Sequence, residues 1–296
     1  MKPVCFDYFR PSGAEEALEL IKAHGSEARF LAGGQSLVPM MNFRIARPSA
    51  LIDLGRCDDL VYLRLEDDRL LCGPMVRQWN AEHDPLVRRE CPLIASALAF
   101  AGYPTIRNRG TVGGSIAHAD PTAELLAVAS VLDAEMLVLG PRGERVVPAD
   151  KFFQSELTTA IGPDEMLGEI RFRREAKGSR SWFGEAGNHS GGMSQVAVAA
   201  YVEGRENGAA TKARFSVVGL TPIPLRIRSL ERAMSEARSV TPLIPGALAA
   251  DLNSQDIIEN IHGSRAYRRA VAVALLQDAV SAVTTGRVRD IPTGRA

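Results

Sequence analysis

Apolar residues in this chain recur with two periods, and the changes from one to the other divide it into elements. Ala17 and Leu18 stand four and three positions before Ile21, the spacing of one helix face, and Gly25 is placed to end that helix. Ser12 and Glu15 stand just before it at the spacing of a capping box, in which the serine caps the first turn and the glutamate reaches back. Residues 29–31 then read as a short strand running into Gly33-Gly34, and residues 51–54 as another. The opening is therefore expected to be a small α/β lobe.

Residues 69–72 predict a strand ending at Gly73-Pro74, and residues 86–100 one apolar-rich helix ended by Gly102. Residues 123–132 look like a buried helix. Residues 135–139 and 145–147 flank Gly-Pro-Arg-Gly, a hairpin signature, and residues 166–172 form a further strand. The basic stretch RFRREAKGSR, residues 171–180, reads as a linker. Beyond it, residues 195–203 and 211–220 alternate like antiparallel strands around a polar turn containing Gly208. Residues 264–283 return to helical spacing through Val271, Ala274, Leu275 and Ala279. Two domains follow, 1–176 and 177–296, with no internal repeat and no low-complexity tract.

Composition narrows the possible partners. The chain has 296 residues, 46% of them hydrophobic, with 35 basic and 35 acidic residues that cancel. Zero net charge gives no electrostatic support for binding nucleic acid or an anionic membrane. No apolar run reaches the length of a bilayer span, and MKPVCFDYFRPSG lacks the apolar core of a signal peptide. A cytoplasmic location is expected. Cys5, Cys57, Cys72 and Cys91 make no C-x-x-C pair and match no zinc or iron–sulfur spacing, so reduced structural thiols are expected.

Candidate chemistry gathers at two Gly-Gly loops. The first, Leu31-Ala32-Gly33-Gly34-Gln35-Ser36, matches neither G-x-G-x-x-G nor G-x-x-x-x-G-K-[ST]. With no lysine it argues against nucleoside-triphosphate hydrolysis. Glycine turns and neutral donors suit a pyrophosphate that is held and never transferred. The second, Gly110-Thr111-Val112-Gly113-Gly114-Ser115, brackets its glycines with hydroxyls. Asp120 and Glu124 lie beyond it, placed to accept from ribose or ribityl hydroxyls; with Pro121 next to it, Asp120 equally suits a helix N-cap. Arg107 and Arg109 either neutralise phosphate or pair with carboxylates. His118 has no second histidine at ligand spacing, and neither a Ser-His-Asp pattern nor H-E-x-x-H is present. The sequence thus offers no protein-borne catalytic group. One phosphate-bearing cofactor held from two sides would carry the chemistry.

AGGQSLVPMMNFRIARPSALIDL, IRNRGTVGGSIAHADPTAEL and the late IHGSRAYRR resemble the FAD-binding medium subunits of bacterial molybdenum hydroxylases, the xanthine dehydrogenase and carbon monoxide dehydrogenase family, over almost the whole chain. The resemblance implies an α+β architecture: a two-lobed FAD domain of the vanillyl-alcohol-oxidase (PCMH) type, then a smaller C-terminal α+β domain with an antiparallel sheet. It implies that residues 32–36 and 111–115 wrap the FAD pyrophosphate. It places Asp120 and Glu124 near the ribityl and phosphate groups, and Leu167 close to the isoalloxazine. Leu31, Ala101, Ile106, Gly110, Ala117 and Glu185 complete the implied FAD-contacting set. It further implies a molybdopterin-binding large subunit and a small subunit with two [2Fe–2S] clusters, in a dimer of heterotrimers. Electrons would reach FAD here and leave to an external acceptor. The substrate would bind the large subunit, so no residue of this chain reads it.

One segment departs from the family. Where relatives carry Arg-Arg-x-Gly-Asp-aromatic beside the flavin ring, this chain has Asn188-His-Ser-Gly-Gly-Met193, flanked by Glu185 and Gln195. The change alters charge beside the ring. The alternatives are a free-standing FAD oxidase or dehydrogenase, for which no convincing set of acid and base residues stands out, and a docking subunit that has lost flavin, against which both intact loops weigh.

Overall fold

The first lobe is built on a parallel three-stranded sheet. Strand β1 (Asp7–Phe9), helix α1 (Ala14–His24), strand β2 (Ala28–Leu31), helix α2 (Leu37–Asn42) and strand β3 (Ala50–Asp53) follow one another, with β3 between β1 and β2. Ala17 and Ile21 pack α1 onto Ala28, Ala50 and Ile52, the buried face of the sheet. The predicted capping box is shifted by one residue. Gly13 is the N-cap, and Ser12 donates through both its N–H and its hydroxyl to Glu16, at 2.7 and 2.8 Å, not to Glu15. Gly25 ends the helix at φ +69, as its position predicts. The computed structural model describes residues 2–187, 192, 194–206, 209–236, 241–252 and 256–285. The expected turn at Gly208 lies outside them.

The second lobe interleaves helices with an antiparallel sheet. Strands β4 (Leu63–Glu66) and β5 (Arg69–Cys72) lead into helices α3 (Gln78–His83), α4 (Pro85–Glu90), α5 (Pro92–Leu98), α6 (Pro104–Arg107), α7 (Val112–His118) and α8 (Glu124–Val131). The hairpin β6 (Glu135–Gly140) and β7 (Gly143–Pro148) follows, then α9 (Ala149–Phe152), the short pair β8 (Phe153–Ser155) and β9 (Thr158–Thr159), and β10 (Met166–Arg173). The sheet order is β4-β5-β10-β6-β7, so its last strand in sequence is central in space.

Three expectations change here. The helix expected over 86–100 is two, because Pro92 has no N–H to continue the ladder. Asp120 does not cap α8, whose N-cap is Ala123; its Oδ1 accepts instead from Thr122 N and Oγ1, at 2.8 and 2.7 Å, closing a local turn. Arg171 and Arg173 are not linker residues. They alternate with buried Ile170 and Phe172 at the end of β10, which leaves only residues 174–179 as connection.

The C-terminal part is a four-stranded meander, β11 (Arg180–Gly187), β12 (Ser194–Glu206), β13 (Ala209–Val218) and β14 (Leu225–Arg226), with helices α10 (Arg228–Ser235), α11 (Ile244–Asp251) and α12 (Arg265–Thr285). The side chains of β11 and β12 alternate between two cores. Phe183, Ala197, Ala199 and Tyr201 join the core of the second lobe. Trp182, Val196, Val198, Ala200 and Val202 join the core beneath the three helices. Burial on both faces explains the near-continuous apolar run VAVAAYV. Arg214 and Arg226 from this sheet donate to Val131 O and Ser130 O, at 3.1 and 3.0 Å, and so cap the C-terminal end of α8.

Candidate cofactor site

A cavity of about 1360 Å³ lies where the first lobe meets the second, with both Gly-Gly loops in its wall. Residues 32–36, Ile106, Gly110, Thr111, Gly113, Gly114, Ser115, Ala117, Asp120, Glu124 and Leu167 line it, as do His118, Met166 and Ser194. Leu31, Ala101, Val112 and Glu185 of the expected set do not. Leu31 ends β2, and Ala101 and Val112 are buried in the core of the second lobe. Glu185 lies on β11, opposite Ala197.

The two loops are not equivalent. Strand β2 delivers the first loop to the cavity, and Gly34 turns there at φ +73. Among the described residues, no protein acceptor takes the backbone N–H of Gly33, Gly34, Gln35 or Ser36. In the second loop the amides are already committed. Val112 N donates to Val76 O at 2.9 Å, Gly113 N to Pro74 O at 3.0 Å, Gly114 N to Thr111 Oγ1 at 2.9 Å and Ser115 N to Thr111 O at 3.2 Å. The first loop therefore leaves a run of amides free of protein acceptors in the cavity wall. The second contributes hydroxyl groups and shape.

The glycines mainly let backbone meet backbone. A β-carbon on Gly113 would lie 2.3 Å from Pro74 Cβ, and one on Gly33 2.5 Å from Arg109 O. The contact at Gly33 draws the two loops together, and that at Gly113 seats the second loop against Pro74.

The positive charge comes from residues the sequence did not single out. Arg29, Arg44 and Arg47 line the cavity, and none pairs with a carboxylate among the described residues. Their hydrogen bonds run to carbonyls: Arg29 to Ser26 and to Ala28 at 2.8 Å, Arg44 to Lys2 at 3.3 Å and Arg47 to Arg44 at 2.9 Å. Their clustering around the first loop, within FRIARP and just before FLAGG, was the available signal. Arg107 resolves to the structural alternative. It is buried, pairs with Glu82 at 2.7 Å and donates to Gly102 O at 2.7 Å. Arg109 does not line the cavity; its carbonyl accepts from Arg77.

At the other end stand two acids with displaced ionisation. Burial pushes the Glu124 carboxyl up to about 7, with Asp120 adding to the shift. Burial, and then the Glu124 carboxylate, push Glu185 up to about 8. The Ser194 hydroxyl opposes the second shift, although its geometry falls short of a hydrogen bond. Among the described residues, Glu185 Oε2 is buried without a hydrogen-bond partner. Of the departing segment, Gly192 lines the cavity; residues 188–191 and 193 lie outside the described residues. Among the described residues no cluster of three or more His, Cys, Asp or Glu side chains is placed to hold a metal. No helix of the described residues is long and apolar enough to cross a membrane.

Residues 4–172 match the family model of the FAD-binding domain in molybdopterin dehydrogenases, and residues 181–283 that of the carbon monoxide dehydrogenase flavoprotein C-terminal domain. The chain belongs to this family of FAD-binding subunits. It is 33% identical to the 6-hydroxypseudooxynicotine dehydrogenase complex subunit alpha of Paenarthrobacter nicotinovorans, over 94% of each chain. It is 31% identical to the carbon monoxide dehydrogenase medium chain of Hydrogenophaga pseudoflava, over 95% of this chain and 98% of that one. A solved carbon monoxide dehydrogenase from Hydrogenophaga pseudoflava superimposes with a TM-score of 0.91 at 30% identity, covering 98% of this chain and 100% of that one. Quinoline 2-oxidoreductase from Pseudomonas putida 86 gives 0.89 at 27% identity, with the same coverage. As a member of the family the chain is the medium, FAD-binding subunit of an oxidoreductase of the molybdenum hydroxylase type, and its α+β architecture is that of carbon monoxide dehydrogenase.

The residues present fit FAD. Unengaged amides and unpaired arginines at one end suit a pyrophosphate, and the hydroxyls of Thr111 and Ser115 suit a polyol. Glu124 and Ser194 add polar groups to the wall at the other end.

Proposed function

We propose that this chain is the electron outlet of a heteromeric molybdenum hydroxylase. FAD held between its lobes would take electrons from two [2Fe–2S] clusters of a small subunit and pass them to an external acceptor. A large subunit with a molybdopterin centre would hydroxylate the substrate. The observation that carries this reading is the row of unengaged amides at residues 33–36 beside Arg29, Arg44 and Arg47 in one cavity. That combination suits a dianionic pyrophosphate that must be bound and not cleaved.

In this reading residues 32–36 hold the pyrophosphate, and Thr111, Ser115 and Asp120 meet the ribityl chain. Leu167, at the bulge of β10, backs the ring system, and Ile106, Gly110 and Ala117 shape the adenosine side. Leu31, Ala101 and Val112 support the loops from behind, and Glu185 reaches the cavity through Glu124. Bound FAD exchanges electrons singly or in pairs, which joins one-electron clusters to two-electron acceptors. Glu124 faces the site about half protonated at neutral pH, and Glu185 behind it keeps its proton as a neutral donor. The chain divides functionally at 176/177 and works in the cytoplasm, within a dimer of heterotrimers.

Purification of the tagged chain with its accompanying subunits tests this. The expected result is one FAD per chain, with molybdenum and about four iron atoms per chain in the partners. A flavin-free complex, or a chain that purifies alone and oxidises a small substrate by itself, would overturn it.

A further inference from the structure

We infer that Arg268, in the late Tyr-Arg-Arg of helix α12, is a positioning residue of the cofactor site, acting through Gly219 and Pro121. The inference rests on the cavity holding FAD, as proposed above.

Arg268 is 1% exposed, the largest fully buried side chain among the described residues. No carboxylate among the described residues pairs with it. Its guanidinium donates only to neutral acceptors: Nη1 to Gln195 O at 2.5 Å and Gly219 O at 2.8 Å, Nη2 to Asn260 Oδ1 at 2.8 Å, and Nε to Gly263 O at 3.4 Å. A buried cation is a costly way to fill space, and an apolar residue would pack a helix better. What a guanidinium adds is a rigid plane of donors that fixes several carbonyls at once.

Two of those carbonyls belong to residues one step behind the cavity wall. Gln195 directly follows Ser194, which lines it. Gly219 donates its N–H to Pro121 O at 2.6 Å, and Asp120, Thr122 and Glu124 around that proline all line it. Gly219 itself sits at φ +77, where a β-carbon would lie 2.2 Å from Gln195 O. Arg268, Gln195, Gly219 and Pro121 therefore form one tightly packed relay. It runs from the last helix to the acidic wall of the site, some 150 residues earlier in sequence.

The test compares R268A, R268K and L276A in the complex purified through the tagged chain. Leu276 is fully buried in the same helix and belongs only to the C-terminal core. The readouts are the FAD dissociation constant, the visible circular dichroism of the flavin and the melting temperature. R268A is expected to weaken FAD binding at least about tenfold and to alter the flavin dichroism, with R268K recovering part of both. L276A is expected to lower the melting temperature as far while leaving FAD affinity within about twofold. If R268A does not accumulate, R268K alone decides: FAD affinity weakened about threefold with altered dichroism supports the relay, and wild-type values for both overturn it. Equal loss of affinity in R268A and L276A at equal melting temperature would make Arg268 merely structural. Wild-type complex without flavin would instead remove the proposed function, and this inference with it.

Discussion

Gly33 and Arg109 are in contact across the two cofactor loops, so closely that a β-carbon on Gly33 would lie 2.5 Å from the Arg109 carbonyl oxygen and 2.7 Å from Gly110 Cα. Gly33 is thus required by the meeting of two stretches of backbone, before any ligand is considered. The same holds at Gly113 against Pro74. Cofactor binding and lobe closure consequently depend on the same residues.

Substitution at these points separates them from ordinary glycines. G33A and G113A press a methyl group onto backbone or a proline ring, which cannot swing away, and each is expected to cost about 1–3 kcal/mol and most of the FAD affinity. Gly246 in α11 has nothing within 4 Å of its missing β-carbon. G246A is expected to keep FAD and to gain up to about 1 kcal/mol, because alanine restricts the unfolded chain. Thermal melts with flavin absorbance check both. A stable, flavin-replete G33A would show that the loops can part without loss.

The three arginines at the cavity mouth predict a graded electrostatic effect. Arg29, Arg44 and Arg47 are exposed, so solvent screens them, and each is worth about 0.5–1.5 kcal/mol to a bound pyrophosphate. R29A, R44A and R47A should each weaken FAD binding about threefold to tenfold. Raising the salt concentration should weaken wild-type binding more than that of any variant. Fluorescence titration of the deflavinated complex reads both quantities, and salt-independent binding would remove these residues from the phosphate site.

Much of this was legible in the sequence because it is local. The strand leading into Gly33-Gly34, the stop at Gly25 and the hairpin at residues 140–143 each follow from a few adjacent residues. What was not legible depends on residues distant in sequence. The pairing of Arg107 with Glu82 takes it away from phosphate, and nothing local to IRNRG announces it. The committed amides of residues 112–115 become visible only once Pro74 and Val76 lie beside them. Pro92 was a local signal, but the apolar run through it masked the helix break.

Cysteine reactivity should report the same packing. Cys5 is exposed, whereas Cys57, Cys72 and Cys91 are buried. Burial raises the Cys57 thiol to about 11 and the other two higher still, so their nucleophilic thiolates are scarce at neutral pH. A disulfide reagent at pH 7.5 is expected to modify one thiol quickly in the native chain and four after denaturation. Rapid modification of two or more in the native state would contradict the buried placements.

Glu124 at the far end of the cavity and Glu185 behind it give the chain a defined pH dependence. Glu124, at about 7, and Glu185, at about 8, keep protons in the folded protein that the unfolded chain has released above its ordinary value of 4.5. Between these limits the native state binds more protons than the unfolded state, so their contribution to stability is present at low pH and is lost as pH rises from about 4.5 through 8. FAD affinity should fall over the upper part of that window, because ionisation then sets carboxylates beside an anionic cofactor. E185Q removes one titrating group, the one that burial and the Glu124 carboxylate push up. The variant is therefore expected to melt higher than wild type at pH 8.5 and to match it near pH 5. Its FAD affinity should vary less between pH 6.5 and 8.5. Melting curves and flavin titrations across that range decide the matter. Parallel pH profiles for wild type and E185Q would mean that Glu185 ionises as an ordinary surface acid, and that the neutral donor proposed for this end of the site does not exist.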